Sequence, residues 1–143
     1  MAALERTPAE AGALAAGLLA DACRQHTECS LRLEVVRGLA LDLGRRLEAL
    51  AAEDGAADSL VEAALACADL ATLAACNLTA LPDGDRPLAT AAGHLAAGTT
   101  LALIPLVEAV ALEEPRAENM LRDARSAHWR ADLARNQIED PQD

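Results

Sequence analysis

Apolar residues recur at intervals of three and four along most of the chain, which is the spacing of one face of an α-helix. One such set after residue 31 consists of Val36, Leu39, Leu43, Leu47 and Leu50. A second set consists of Leu60, Ala64, Cys67, Ala71, Ala74 and Leu78. We therefore predict two amphipathic helices that direct these residues toward a common core.

Helix-start signals place the ends of two predicted helices. Residues 7–10 and 59–62 match the capping box, in which a Ser or Thr begins a helix and a Glu three residues later bonds back to it. The first box predicts a helix that begins at Pro8 and runs to about Gln25, because Pro suits a first helical turn. The second box predicts a helix that ends near Thr79.

A loop separates these helices from a long apolar segment, Leu88 to Leu112. Pro and Gly mark residues 81–87 as the loop, and Asp85 is placed to cap the helix that follows. The long segment is nearly free of charge, which fits either the centre of a bundle or a membrane span. We favour the buried position, because no aromatic belt or positive cluster flanks the segment. Pro105 inside it predicts a kink.

The last predicted helix runs from Arg116 to about Asn136. Glu118 and Arg122 stand four residues apart, which predicts an ion pair on its surface. Its apolar face is predicted to consist of Leu121, Ala124 and Ala131. The two ends of the chain, at about 1–6 and 137–143, are predicted to be frayed.

Composition narrows the fold class. The 143 residues are 52% hydrophobic, which is too apolar for a disordered chain, and Trp129 is the single aromatic residue. Because sandwiches and barrels need aromatic and β-branched packing, we predict an all-α fold: a four- to five-helix, mostly antiparallel bundle forming one domain over 1–143. Alanine buries little area, so we expect a homodimer to complete the core.

The charge balance excludes several functions. With 23 acidic against 12 basic residues, the formal net charge is −11, which opposes binding to nucleic acid and to anionic membrane surfaces. From Met1 to Pro8 no positive segment leads a hydrophobic one, so we expect a cytoplasmic protein with reduced cysteines. The chain has no Lys, and therefore no phosphate-binding loop of the usual kind.

Two histidines stand near possible ligand-binding residues. Cys23, His26 and Cys29 are spaced by three, and thiolate with imidazole suits zinc. A closed zinc site needs a fourth ligand, so we predict no metal and ordinary buried thiols. His94 and Thr99 lie in the long apolar helix, where an imidazole beside hydroxyl groups is a candidate site for a small ligand.

Three segments share a pattern with a known family. Residues 7–16 combine a Pro, a Gly and an Ala-rich stretch, residues 50–57 form an acidic step before a helix, and Gly84-Asp85 leads into Ala89. Together they resemble the cyclodeaminase/cyclohydrolase family of all-helical folate enzymes. The resemblance makes Asp54 and Asp85 the positions that match the family's motifs.

The same comparison shows where the chain departs from that family. Gly12 alone remains of the family's run of glycines, and the family's late Asn residues are replaced around Ala102 to Val107. These departures imply a bundle that has kept the family's architecture and lost its folate chemistry.

Two functions follow from these patterns. We predict a non-catalytic bundle without a cofactor, acting through homo-oligomerisation or through a partner protein. The alternative is a folate enzyme or a small-molecule binder with its pocket near Asp54, Asp85, His94 and Thr99, and with folate as the cofactor.

Overall fold

Five α-helices make up nearly all of the chain that the structure describes. The computed structural model describes residues 2–53 and 57–140, and this part of the chain contains no strand. The helices are α1 (Ala2–Cys23), α2 (Leu31–Ala51), α3 (Ala57–Asn77), α4 (Arg86–Ala111) and α5 (Ala117–Glu139). Short 3₁₀ turns follow α1 at Arg24–His26 and α3 at Leu78–Ala80. The predicted all-α bundle is confirmed.

The first four helices form a ring, and the fifth lies outside it. α1 packs on α2 and α4, α3 packs on α4, and α2 meets α3 over a smaller contact. α5 lies in the groove between α3 and α4. Ion pairs across this outer contact join Arg130 to Asp69 and Arg116 to Asp58.

Alanine dominates the interior. Every helix contributes alanines with no exposed area, among them Ala15, Ala40, Ala71, Ala96 and Ala131. A few large side chains, including Leu19, Leu47, Leu70 and Leu103, fill the remaining space. These alanines are covered by helices of the same chain, because small side chains let helices approach closely. A thin core is therefore no longer a reason to expect a dimer.

Glycine permits the closest of these approaches. A Cβ added at Gly12 would lie 2.6 Å from the Cys67 Sγ and 3.1 Å from a Leu47 methyl group. A Cβ at Gly44 would lie 3.1 Å from the Cβ of Ala16. Since real Cβ contacts are rarely this short, these two glycines set how closely α1 lies to α2 and α3.

The beginning of α1 differs from the prediction. The helix begins at Ala2 and passes through Pro8, so Thr7 is not its cap. Residues 2–6 are mostly Ala, Leu and Glu, which are strong helix formers and extend the helix beyond the capping-box signal. At its other end the α-helix stops at Cys23, two residues before the predicted end.

Two further predicted contacts are wrong. α3 begins at Ala57, and the Ser59 hydroxyl donates to the Glu53 carboxylate instead of capping the helix. In α5, Arg122 donates to the Asn119 side chain at 3.0 Å rather than pairing with Glu118. Ser59 does not cap because it lies inside α3, and Arg122 does not pair with Glu118 because its guanidinium is bonded to Asn119.

The last helix extends past its predicted end. α5 continues to Glu139. Ile138 is buried against the underlying helices and lies beside Gly93, in the space that a side chain at that position would occupy. Burial of this side chain holds in place residues that were predicted to be frayed.

Candidate functional site

His26 and Asp85 meet at one end of the bundle, although 59 residues separate them in the chain. His26 lies in the 3₁₀ turn after α1, and Asp85 directly precedes α4. The His26 Nε2 lies 2.5 Å from the Asp85 Oδ2, and both side chains are partly exposed. The predicted cap is therefore corrected: Asp85 stands at the cap position of α4, but its side chain bonds to His26 and not to the helix.

A buried thiol lies next to this pair. Burial raises the pKa of Cys23, the negative charge of Asp85 raises it further, and Arg37 acts in the opposite direction. A raised pKa disfavours the thiolate, which is the nucleophilic form of cysteine. The Arg37 Nε is buried without a hydrogen-bond partner among the described residues.

The spacing of Cys23, His26 and Cys29 does not place them on one helix. α1 ends at Cys23, which is buried, whereas Cys29 is exposed in the turn before α2. Within residues 2–53 and 57–140, no group of three or more His, Cys, Asp or Glu side chains is arranged to hold a metal ion.

The predicted ligand residues occupy separate places. His94 and Thr99 line one shallow groove of about 310 Å³ between α1 and α4, together with Pro8, Ala11 and Gly98. Asp85 lies nine residues before His94, about 13 Å along the axis of α4, and faces His26 instead. Asp54 lies outside the described residues.

The groove at His94 offers little polar chemistry. His94 is exposed, and the Thr99 hydroxyl donates to the Leu95 carbonyl at 2.7 Å within its own helix. Thr100 bonds in the same way to Ala96 and is fully buried. The imidazole is thus the principal polar group that this groove presents to a ligand.

Three apolar side chains on α2 project into solvent at intervals of four residues. Leu31, Val35 and Leu39 are 75%, 52% and 48% exposed. Leu39 was predicted to face the core with Val36 and Leu47. It lies outside because the buried face is centred on the other two residues, a rotation that periodicity alone does not determine.

A second exposed apolar pair lies on α5. Trp129 is 67% and Leu133 is 44% exposed, four residues apart on the outer side of the helix. Because aromatic side chains often anchor protein contacts, Trp129 is a candidate interface residue. The surface thus carries two distinct apolar stripes, one on α2 and one on α5.

Two helices are long and apolar enough to cross a membrane by length and composition. They are the segments Ala57–Ala80 and Arg86–Ala111, which include α3 and α4, and about half of each apolar stretch is buried in the bundle. Core helices of soluble proteins pass the same criterion, so the finding is weak. The cytoplasmic location stays a prediction.

Comparisons with known proteins do not place this chain in a family. No protein-family model, curated protein or solved structure matches it. The resemblance to folate enzymes therefore stays a prediction, and function has to be inferred from the described side chains.

Proposed function

We propose that this protein is a non-catalytic helical-bundle module that pairs with a second copy of itself through the outer face of α2. The observation that carries the proposal is the exposed stripe of Leu31, Val35 and Leu39. Burying large apolar side chains is favourable in proportion to the area removed from water.

The stripe has the symmetry that pairing of identical chains requires. In a two-fold contact, the same patch of each subunit meets itself. Leu31 and Leu39 stand four residues on either side of Val35. If two antiparallel α2 helices cross at Val35, Leu31 of each copy therefore meets Leu39 of the other. A stripe of this kind is self-complementary.

Gly38 lies beside the stripe and supports a closely approaching helix. A Cβ added at Gly38 would meet nothing within 4 Å, so the fold of this chain does not require glycine there. Glycine inside a helix costs about 1 kcal/mol relative to alanine. The missing side chain leaves room on the surface for the backbone of a second helix.

Charge also favours α2 as the contact. The chain carries a formal charge of −11, so most surfaces of two copies repel one another. α2 instead contains four arginines, namely Arg32, Arg37, Arg45 and Arg46, against three acidic residues. Two copies that meet through this helix therefore bring together less negative charge than two average surfaces of the chain would.

The expected dimer depends on concentration. A stable complex buries roughly 800 Å² on each partner, and three side chains on one helix supply less than this. We therefore expect a reversible dimer whose population rises with protein concentration, measured by light scattering after size-exclusion chromatography and by sedimentation equilibrium.

Single substitutions test the contact. Val35→Glu is expected to give a monomer, because it places a carboxylate on the two-fold axis against its own copy. Leu112→Glu, at an 84% exposed leucine after α4, makes the same change of charge and is expected to leave the dimer intact. A chain that is monomeric at all concentrations would contradict self-association, and loss of the dimer in Leu133→Glu alone would assign it to α5.

We propose a small-molecule binder as the second candidate, because His94 and Thr99 do line one groove. Its volume of about 310 Å³ lies at the lower end of the range for ligand sites. Folates are the first compounds to test. A rise in melting temperature that disappears in His94→Ala would support this candidate, and an unchanged melting temperature with folates would remove it.

A further inference from the structure

A groove lies between the ends of α3 and α5. Its volume is about 710 Å³, within the range of small-molecule sites. One wall is apolar and consists of Ala75, Leu78 and Leu133. This groove is separate from the His94 groove and from the stripe on α2.

The charged residues that line the groove are both acidic. Glu139 and Asp140 lie at its rim, where α5 ends. The last turn of α5 contains no basic residue, so the partial negative charge of its terminal carbonyls is not offset within the helix. This end of the groove therefore favours a positive group.

Three arginines that bond to groove-lining residues or neighbour them in the chain are already engaged, and one of them, Arg32, also donates to the Cys76 carbonyl at 2.8 Å. The Arg32 Nε donates to the Asn77 Oδ1 at 2.7 Å, and the Arg86 Nε donates to the Leu78 carbonyl at 3.2 Å. Arg135 pairs with Asp132 at 2.9 Å. These side chains do not line the groove. The acidic rim thus lacks a cation supplied by the lining residues.

We propose that this groove binds a primary alkylammonium, with its positive head at Glu139 and Asp140. The aliphatic chain lies along Ala75, Leu78 and Leu133. Desolvation of the chain supplies affinity, since each buried methylene contributes about 0.8 kcal/mol. The acidic rim supplies the preference for a cation over an anion of the same length.

A thiol in the groove allows binding to be followed directly. Cys76 lines the groove and is exposed. Cys29 is exposed at another place, and Cys23 and Cys67 are buried. Labelling with a neutral maleimide, followed by peptide mass spectrometry, therefore reports occupancy at Cys76, with Cys29 as an internal control.

The probe is octylammonium below its micelle concentration, compared with octanoate and octanol. At ten times its dissociation constant, octylammonium is expected to slow labelling of Cys76 about tenfold and to leave Cys29 unchanged. Octanoate is expected to protect much less. Equal protection by octanoate, absence of protection, or equal slowing at Cys29 would overturn the proposal.

Variants separate the rim from the rest of the surface. Glu139→Gln with Asp140→Asn is expected to abolish the preference for octylammonium over octanoate. Glu62→Gln, at an exposed glutamate of α3, is the control and is expected to preserve that preference. If removing residues 141–143 instead speeds the labelling of Cys76 without any ligand, the chain's own end fills the groove and the proposal is wrong.

Discussion

The interior of the four-helix ring and the outer face of α2 differ in side-chain size in an unexpected direction: the small apolar residues are buried and large ones are exposed. Ala92 and Ala96 are fully buried, whereas Leu31 is 75% exposed. The interior carries small residues because the helices lie close together, as the contacts around Gly12 show. Side-chain size at a position therefore follows the space between helices, and apolar character alone does not determine which residues are inside.

The largest expected effect tests whether the interior has room for larger side chains. Ala71→Leu is expected to lower the free energy of unfolding by about 1–3 kcal/mol, because extra methyl groups must displace packed neighbours. Ala91→Leu, on the exposed side of α4, is the matched control and is expected to change it by less than about 0.5 kcal/mol. Urea unfolding measures both, and equal effects would show that interior space is not limiting.

A buried and an exposed cysteine provide the second contrast. Burial raises the pKa of Cys67 to about 12, so its thiol stays protonated in the folded state while it ionises above about pH 9 in the unfolded state. Proton loss then favours unfolding, and stability falls between pH 9 and pH 12.

Between pH 8 and pH 10, the free energy of unfolding is therefore expected to fall by about 1.4 kcal/mol more in the unsubstituted chain than in Cys67→Ala. Cys76→Ser should follow the unsubstituted chain, because Cys76 is exposed in the folded state as well. Urea unfolding at the two pH values provides the measurement. Identical pH dependence of the chain and of Cys67→Ala would show that the interior does not exclude water from this thiol.

The smallest expected effect concerns two glycines. Gly38→Ala is expected to stabilise the monomer by up to about 1 kcal/mol, since the added methyl group meets no neighbour and alanine is the better helix former. Gly12→Ala gains the same propensity but presses against Cys67, so its net effect should be smaller or of opposite sign. Thermal unfolding at low protein concentration compares the two variants. Equal stabilisation by both would contradict a close approach of helices at Gly12.

Periodicity predicted the helices because each one buries a face of its own sequence. The predicted apolar set from Leu60 to Ala74 on α3 is buried, and so is Leu78 in the 3₁₀ turn that follows. Leu39 was misplaced because apolar residues cover more of the circumference of α2 than its contacts with α1 and α3 bury. The start of α1 was misplaced because the capping signal at Thr7 was given more weight than the helix propensity of residues 2–6.

The candidate sites were harder to predict than the fold. His26 and Asp85 each have a local interpretation, as a possible zinc ligand and as a helix cap, and their contact depends on how the ends of α1 and α4 meet. The groove beside Cys76 likewise forms only where α5 crosses the end of α3. Local sequence patterns contain no information on contacts between residues that are far apart in the chain. His94 and Thr99 could be predicted to lie together because they belong to the same helix.

The hydrogen bond between His26 and Asp85 also bears on the order of folding. Its partners are separated by the whole of α2 and α3, and closing so long a loop carries an entropic cost that a single bond does not offset. We therefore expect this bond to form after α2 and α3 have packed in place. Its formation would then mark the completion of this end of the molecule, whereas we expect the neighbouring helices α1 and α2 to meet earlier, because their contacts are closer in the chain.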